Sequence, residues 1–297
     1  MKLFWKRYIT QFFATLLGNG YIKGFLEGKI FQGKSKYLCL PGLNCYSCPG
    51  ALGSCPIGSL QATLNSFKYK VSLYVSGIIL LFGMALGRWI CGWLCPFGFI
   101  QDLLYRIPSK KVRVPRPLRW LKYLKYVVLV VMVILLPALV VNVVGQGDPW
   151  FCKYICPSGT VMGAFPLLSV DEGLRTALGP LFWWKVGLAV AILVSSVFLY
   201  RTFCRFLCPL GALYGLLNKV SLYRMRLIED RCIHCGACER ACDLDINPMK
   251  TPNSAECIRC GDCRVACPTQ ALQTNIRFGQ RDFEMHDNPR KQPRRNP

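Results

Sequence analysis

The placement of cysteine constrains this chain more than any other feature. Eighteen of the 297 residues are cysteine, and they fall in tight, repeated groups. Cys232, Cys235, Cys238 and Cys242 are spaced C-x2-C-x2-C-x3-C. Cys257, Cys260, Cys263 and Cys267 repeat that spacing, with Pro268 after the last. The doublet suits two [4Fe–4S] clusters, because three close thiolates wrap one corner of a cubane and the fourth arrives from the other motif. By that rule Cys232, Cys235, Cys238 and Cys267 hold one cluster, and Cys257, Cys260, Cys263 and Cys242 hold the other. Gly236 and Gly261 let the backbone turn closely around sulfur. Asp243 follows Cys242 where a proline is expected, which touches the local turn but removes no ligand. A four-cysteine zinc site calls for separated knuckles, and this doublet matches that poorly.

Ten cysteines remain, and they share a second repeat. Cys55-Pro-Ile-Gly58, Cys95-Pro-Phe-Gly98, Cys156-Pro-Ser-Gly159 and Cys208-Pro-Leu-Gly211 all read C-P-x-G. Cys91, Cys152 and Cys204 precede three of them by four residues. Proline is pre-organised for the first helical position, so the cysteine before it is expected at a helix N-terminus. There, free amides and the helix dipole favour thiolate charge. Arg88 to Gly98 parallels Arg201 to Gly211, each directly after an apolar run. Cys91, Cys95, Cys204 and Cys208 are therefore expected to form one cluster site at the membrane surface. The two arginines are read as interface anchors, with a quinone or cluster-tuning role as the alternative. Cys39, Cys45, Cys48, Cys55, Cys152 and Cys156 form a less ordered set, suited to one outer cluster with two spare thiols or to disulfides. Cys45, Cys48, Cys152 and Cys156 is one candidate ligand set, and sets with Cys55 are equally compatible.

The remainder of the chain is apolar and basic. AVILMFWYC supply 53% and charged residues only 18%, against about 25% in soluble domains. Lys and Arg number 37 against 15 Asp and Glu, a net charge of +22. Such a balance fits a membrane protein with basic loops or a nucleic-acid binder, and three long apolar runs decide for the bilayer. Val71–Gly87, Tyr126–Gly145 and Val186–Tyr200 carry no charge over 17, 20 and 15 residues. A span needs about 20, with a lower limit near 17, so the third requires Lys185 to snorkel at the interface. Eight basic residues between Arg106 and Lys125, in a loop held open by Pro108, Pro115 and Pro117, place that loop in the cytoplasm. The C-terminal cysteine-rich segment then lies on the same side. A cytoplasmic Met1–Arg7 requires one further crossing before Cys39, for which Tyr8–Gly28 is the candidate.

The expected fold is an α-helical integral membrane bundle of three or four spans with a small C-terminal α+β two-cluster domain. The divisions are a membrane domain over 1–222, the two-cluster domain over 223–280 and a basic disordered tail over 281–297. His234 and His286 are the only histidines and neither lies in an apolar run, which excludes a membrane haem held by two His ligands. No G-x-G-x-x-G or G-x-x-x-x-G-K-[ST] loop is present, so neither dinucleotide nor nucleotide binding is indicated.

The membrane run with C-x3-C-P motifs, followed by the ferredoxin doublet, resembles the membrane polyferredoxin family. That family includes the membrane iron–sulfur subunit accompanying periplasmic nitrate reductase and the iron–sulfur half of the nitrous-oxide-reductase accessory protein. This chain departs from both in its third C-x3-C-P, at Cys152–Cys156, and its Cys39–Cys55 group. The resemblance implies an electron-transfer subunit of an oxidoreductase complex in the inner membrane. It would pass single electrons between a cytoplasmic carrier and a membrane or extracytoplasmic partner, with no bond chemistry of its own. The expected partners are an acidic ferredoxin or flavodoxin-like carrier, other subunits of a membrane redox complex, the lipid bilayer and quinone, with no nucleic acid. The alternative is a redox-sensing or maturation factor whose outer cysteines form disulfides.

Overall fold

The computed structural model describes residues 2–65, 73–141, 147–278 and 281–284. The described chain is mainly helical, with a ferredoxin-like region at its C-terminal end. Two helices, Pro117–Leu139 and Pro180–Phe198, are long and apolar enough to cross a membrane. Both depart from the expected bounds. The first begins nine residues earlier than expected, inside the basic stretch read as an open loop. Pro117 opens it, a position proline suits, and Lys125 enters the helix because its charge finds Glu256. The second begins at Pro180, and Lys185 does not snorkel outward. Its ammonium donates to the Cys152 carbonyl at 3.2 Å. The third expected span has fourteen described residues, Leu73–Leu86, and Val71 lies outside the described residues, as do 142–145. Leu129–Leu135 widens into a π-helical turn just before Pro137. Proline has no N–H and crowds the carbonyl four residues back, and a π register relieves both.

The surface of the helical region is inverted relative to a soluble protein. On the Lys2–Gly18 helix, Arg7 and Gln11 are 3% and 0% exposed, whereas Phe13 and Leu17 are 55% and 74% exposed. Leu81, Val127, Leu139, Trp183 and Val194 likewise face outward on the other helices. Only 28% and 17% of the most apolar windows of the two long helices are buried. Water disfavours so continuous an apolar exterior, and lipid favours it. The Tyr8–Gly28 candidate resolves into this helix and a short one, Ile22–Glu27.

Residues 38–55 form an irregular loop packed into the bundle. Leu43, Asn44, Cys48 and Ala51 are buried, and a parallel bridge joins Cys39 to Ser54. Buried Lys36 donates to the Ala51 carbonyl at 2.9 Å, and Tyr214 donates to the Pro41 carbonyl at 2.9 Å. Such backbone needs internal partners wherever water is excluded, and these bonds supply some of them.

The C-terminal region is a three-stranded antiparallel sheet. β1 (Tyr223–Leu227) pairs with β2 (Leu272–Phe278), and β2 pairs with β3 (Arg281–Glu284). β3 occupies the first residues of the stretch read as a disordered tail, while 285–297 lie outside the described residues. The two cysteine motifs repeat at the backbone level with a period of 25 residues. His234 and Arg259 are left-handed, as are Gly236 and Gly261, and Asp245 and Gln270. Left-handed conformations are costly for residues with a Cβ, so the two matched non-glycine pairs, His234 with Arg259 and Asp245 with Gln270, mark a backbone shaped around something other than a routine turn.

Candidate metal centres

The C-terminal cysteines gather around two cavities. Cys232, Cys235, Cys238 and Cys267 line one, and Cys242, Cys257, Cys260 and Cys263 line the other. Each grouping takes three thiols from one motif and the fourth from the other, as the spacing rule requires. The Ala271 amide donates to the Cys267 sulfur at 3.3 Å. Cys235 is exposed, and Ile233 beside it is 63% exposed, so the first cavity lies at the protein surface. The second faces inward. Burial, and then the neighbouring Cys257, Cys242 and Cys238, push the Cys263 thiol up to about 12.

A third group forms where the C-P-x-G helices meet. Cys95 and Cys208 occupy the N-cap positions of the Pro96–Tyr105 and Pro209–Leu217 helices, and the Gly211 amide donates to the Cys208 sulfur at 3.3 Å. Cys91 and Cys204 sit on the short helices just before them. Burial, then the nearby Cys204 and Cys91, push the Cys95 thiol up to about 12. Cys204 goes the other way, to about 7: a hydrogen bond with Cys208 outweighs burial, assisted by Arg201, Gln101 and Arg88. The four thiols are thus one another's electrostatic neighbours, all buried.

Two arginines clasp this group reciprocally. Arg88, three residues before Cys91, donates to the Cys204 carbonyl at 3.1 Å. Arg201, three residues before Cys204, donates to the Cys91 carbonyl. A Cβ on Gly98 would lie 3.5 Å from the Arg201 guanidinium, and one on Gly211 would lie 3.3 Å from that of Arg88. The nearest atoms are the carbonyl oxygens that the arginines hold, Cys91 at 3.0 Å from the Gly98 position and Cys204 at 3.2 Å from the Gly211 position, so the glycine of C-P-x-G makes room for the clasped carbonyls. The arginines are 1% and 0% exposed, which corrects their reading as interface anchors. Each is buried because a carboxylate reaches it from elsewhere in the chain. Asp102 takes Arg201 in a bidentate pair, with Nε–Oδ1 at 2.7 Å, and Glu256 takes Arg88 at 2.9 Å. Burial alone would raise Asp102, but the charge and hydrogen bonds of Arg201, with Arg7 and Gln11, hold it below the usual carboxylate range.

The same clasp docks the C-terminal region. Arg88 also donates to the Ala255 carbonyl at 2.8 Å, Trp93 to the Arg259 carbonyl at 3.1 Å, and Asn218 to the Cys257 carbonyl at 3.1 Å. The loop carrying Cys257 and Cys260 therefore lies directly on the helix carrying Cys91. A Cβ on Gly92 would run into the Ile258 carbonyl oxygen. Gly92→Ala should cost about 1–3 kcal/mol through this overpacking. The expected result is faster proteolytic cleavage between the two regions, and cleavage at the unaltered rate would contradict the contact.

The six remaining cysteines divide. Burial and then Cys156, Cys55 and Cys45 raise Cys152, and burial and then Cys45 and Cys55 raise Cys156. Cys45, Cys55, Cys152 and Cys156 are thus brought together. Cys48 turns instead toward Asn19, with its sulfur 3.4 Å from Oδ1, and Cys39 lies against Ser54. Cys48 still neighbours Cys45, and Cys39 neighbours Cys55, so the candidate sets with Cys48 and with Cys55 differ here in which sulfur lies nearer Cys152 and Cys156. The placement depends on how the 38–55 loop folds back, which spacing does not reveal. All eighteen cysteines are unpaired in the structure. Among the described residues, no three His, Cys, Asp or Glu side chains close around a single metal ion.

Several residues at these sites were not singled out from sequence. Asp102 and Glu256 neutralise the clasp. Gln101 donates to the Cys204 sulfur at 3.0 Å and accepts from the Phe203 amide at 3.1 Å. A signal for Gln101 was present, because glutamine stands six residues after both Cys55 and Cys95.

A family model described as 4Fe–4S binding domain matches residues 72–115, 126–172 and 181–227. A second model of the same description matches 225–245 and 251–273. The chain is 29% identical over 191 residues to an uncharacterized protein of Methanocaldococcus jannaschii, covering 64% of this chain and 65% of that one. It is 29% identical over 207 residues to the regulatory protein NosR of Pseudomonas aeruginosa, covering 62% of this chain and 25% of NosR. It is 25% identical over 211 residues to the ferredoxin-type protein NapH of Haemophilus influenzae, covering 66% of this chain and 64% of NapH. The match thus spans under two-thirds of each relative's length. No solved structure matches the chain. With 4Fe–4S binding-domain models laid along both its regions and ferredoxin-type proteins among its relatives, the chain is a 4Fe–4S protein similar to the membrane polyferredoxins.

Proposed function

We propose that this protein conducts single electrons between a cytoplasmic carrier and a redox partner in or beyond the inner membrane. Three clusters stand in series: one at Cys232/Cys235/Cys238/Cys267, one at Cys242/Cys257/Cys260/Cys263, and one at Cys91/Cys95/Cys204/Cys208. The observation that carries this reading is the docking of the Cys257–Cys260 loop on the Cys91 helix through Arg88, Trp93 and Asn218. It puts the second group against the third, while the first keeps an exposed edge for an incoming carrier. Each bound cluster would supply one-electron exchange. The chain's own residues hold its sulfurs at fixed spacing, exclude water and aim amides and guanidinium groups toward it.

The bundle has three or four spans in this reading, counting Leu73–Leu86 and the inverted Lys2–Gly18 helix beside the two long ones. The basic stretch before Pro117 lies on the same side as the C-terminal region, since Arg113 donates to the Arg240 carbonyl at 2.7 Å. By the positive-inside rule that side is cytoplasmic. The excess of positive charge favours an acidic carrier such as a ferredoxin or flavodoxin, with quinone or a companion subunit beyond.

Reconstitution in vesicles tests this. Reduced acidic ferredoxin should reduce every cluster from the side bearing the C-terminal region, at a rate that falls steeply with ionic strength. Reduction confined to the two C-terminal clusters would overturn the conducting role and favour a sensor.

A further inference from the structure

The four thiols Cys45, Cys55, Cys152 and Cys156 lie in a setting that repeats the glutamine hydrogen bonds of the Cys91 site. In the Cys91 site, Gln101 donates to the Cys204 sulfur at 3.0 Å and to the Phe97 carbonyl at 3.4 Å, and accepts from the Phe203 amide at 3.1 Å. In the other group, Gln61 donates to the Cys152 sulfur at 3.4 Å and to the Ile57 carbonyl at 3.4 Å, and accepts from the Phe151 amide at 3.2 Å. Both glutamines are fully buried, as are Phe151, Phe203, Ile57 and Phe97. Behind them are the same two sequence pieces, C-P-x-G-x2-Q and F-C-x3-C-P.

The cation is repeated too. Arg88 donates to the Cys204 carbonyl at 3.1 Å, and Lys185 donates to the Cys152 carbonyl at 3.2 Å. A Cβ on Gly211 would lie 3.3 Å from the Arg88 guanidinium, and one on Gly159 would lie 3.7 Å from the Lys185 ammonium. Three elements are missing from the second copy: Pro149 stands where Arg201 precedes Cys204, Ala62 stands where Asp102 follows Cys95, and a cysteine equivalent to Cys91 is lacking. Ala51 stands four residues before Cys55, where Cys91 precedes Cys95. Cys45 fills the gap from the buried loop: a Cβ on Gly163 or Gly159 would lie 3.4 Å or 3.8 Å from its sulfur. A neutral amide aimed at a cysteine sulfur, with a cation behind that cysteine's carbonyl, suits a thiolate carrying charge toward iron.

We infer that Cys45, Cys55, Cys152 and Cys156 hold a fourth [4Fe–4S] cluster, with Gln61 and Lys185 as its positioning residues and Cys39 and Cys48 outside the ligand set. The site extends the proposed series by one step and rests on geometry separate from the docking contact. Its two halves come from Pro56–Asn65 with its preceding loop and from the turn at Trp150–Tyr154. It sits toward the N-terminal end of the Pro180–Phe198 helix, whereas Cys204 follows the C-terminal end. The two sites therefore flank one membrane-length helix.

Iron and acid-labile sulfide in anaerobically purified single variants provide the test. Cys45→Ser and Cys55→Ser should each lose about four irons relative to the unaltered chain, and Cys39→Ser and Cys48→Ser should lose none. Alkylation mass spectrometry on the unaltered protein is the second readout. Cys39 and Cys48 should react with a small membrane-permeant thiol reagent under mild denaturation, and Cys45, Cys55, Cys152 and Cys156 only after acid releases the iron. Unchanged iron in Cys45→Ser and Cys55→Ser, or disulfides among these four, would overturn the site. Loss of iron from Cys48→Ser instead of Cys55→Ser would overturn the ligand set. None of these results touches the Cys91 cluster, whose iron is counted separately in Cys91→Ser.

Discussion

Asp102→Asn is expected to destabilise the protein by about 3–5 kcal/mol, the cost of leaving a buried charge without its partner. Asp102 and Arg201 are both fully buried, and Arg7, 3% exposed, lies 3.7 Å from the same carboxylate. Asparagine keeps the shape and one acceptor oxygen but removes the charge that both guanidinium groups face. Arg201 would then lose its hold on the Cys91 carbonyl, so the damage should reach the thiol group and not only the fold. Thermal unfolding in detergent, followed by tryptophan fluorescence, gives the midpoint. Asp148→Asn is the control, because its pair with Lys153 is partly exposed and should shift the midpoint far less. Equal midpoints for the two variants would refute the buried clasp.

Cys204→Ser has the second large effect. Its sulfur receives the Gln101 amide at 3.0 Å and pairs with Cys208, at the centre of the Cys91 group. A serine hydroxyl is a poor substitute for a thiolate toward iron, so the variant should lose about four irons and retain the C-terminal eight. Electrons entering from ferredoxin should then stop at Cys242/Cys257/Cys260/Cys263. Rapid-freeze paramagnetic resonance after mixing with reduced ferredoxin shows which clusters accept an electron. Full reduction beyond the C-terminal region in this variant would mean that the current bypasses the Cys91 site.

What sequence made legible here was local. A proline after cysteine starts a helix whatever surrounds it, so the helix starts at Pro56, Pro96 and Pro209 follow from adjacent residues. The left-handed glycines Gly236 and Gly261 are legible for the same reason. What depends on distant partners was not. Arg88 and Arg201 end apolar runs, which reads as an interface position until Glu256 and Asp102 arrive from other elements. Lys125 reads as a loop residue for the same reason, and Glu256 draws it into a helix. The grouping of Cys45 with Cys55 depends on how the 38–55 loop is pinned by Lys36 and Tyr214, contacts with no trace in spacing. Gln61 and Gln101 are the intermediate case. Their common offset of six from Cys-Pro stood in the chain, but its meaning appears only when both amides are seen on partner sulfurs.

The proposed series requires that thiols of the helical region, and not of the C-terminal region alone, hold iron. Total iron and acid-labile sulfide per chain, measured on protein purified and kept without oxygen, tests it most directly. About sixteen of each are expected, four for every four-cysteine group. About twelve would remove the Cys45 site and leave the Cys91 site standing. Eight, the content of the C-terminal region alone, would leave the helical region without iron and end the series at the C-terminal clusters.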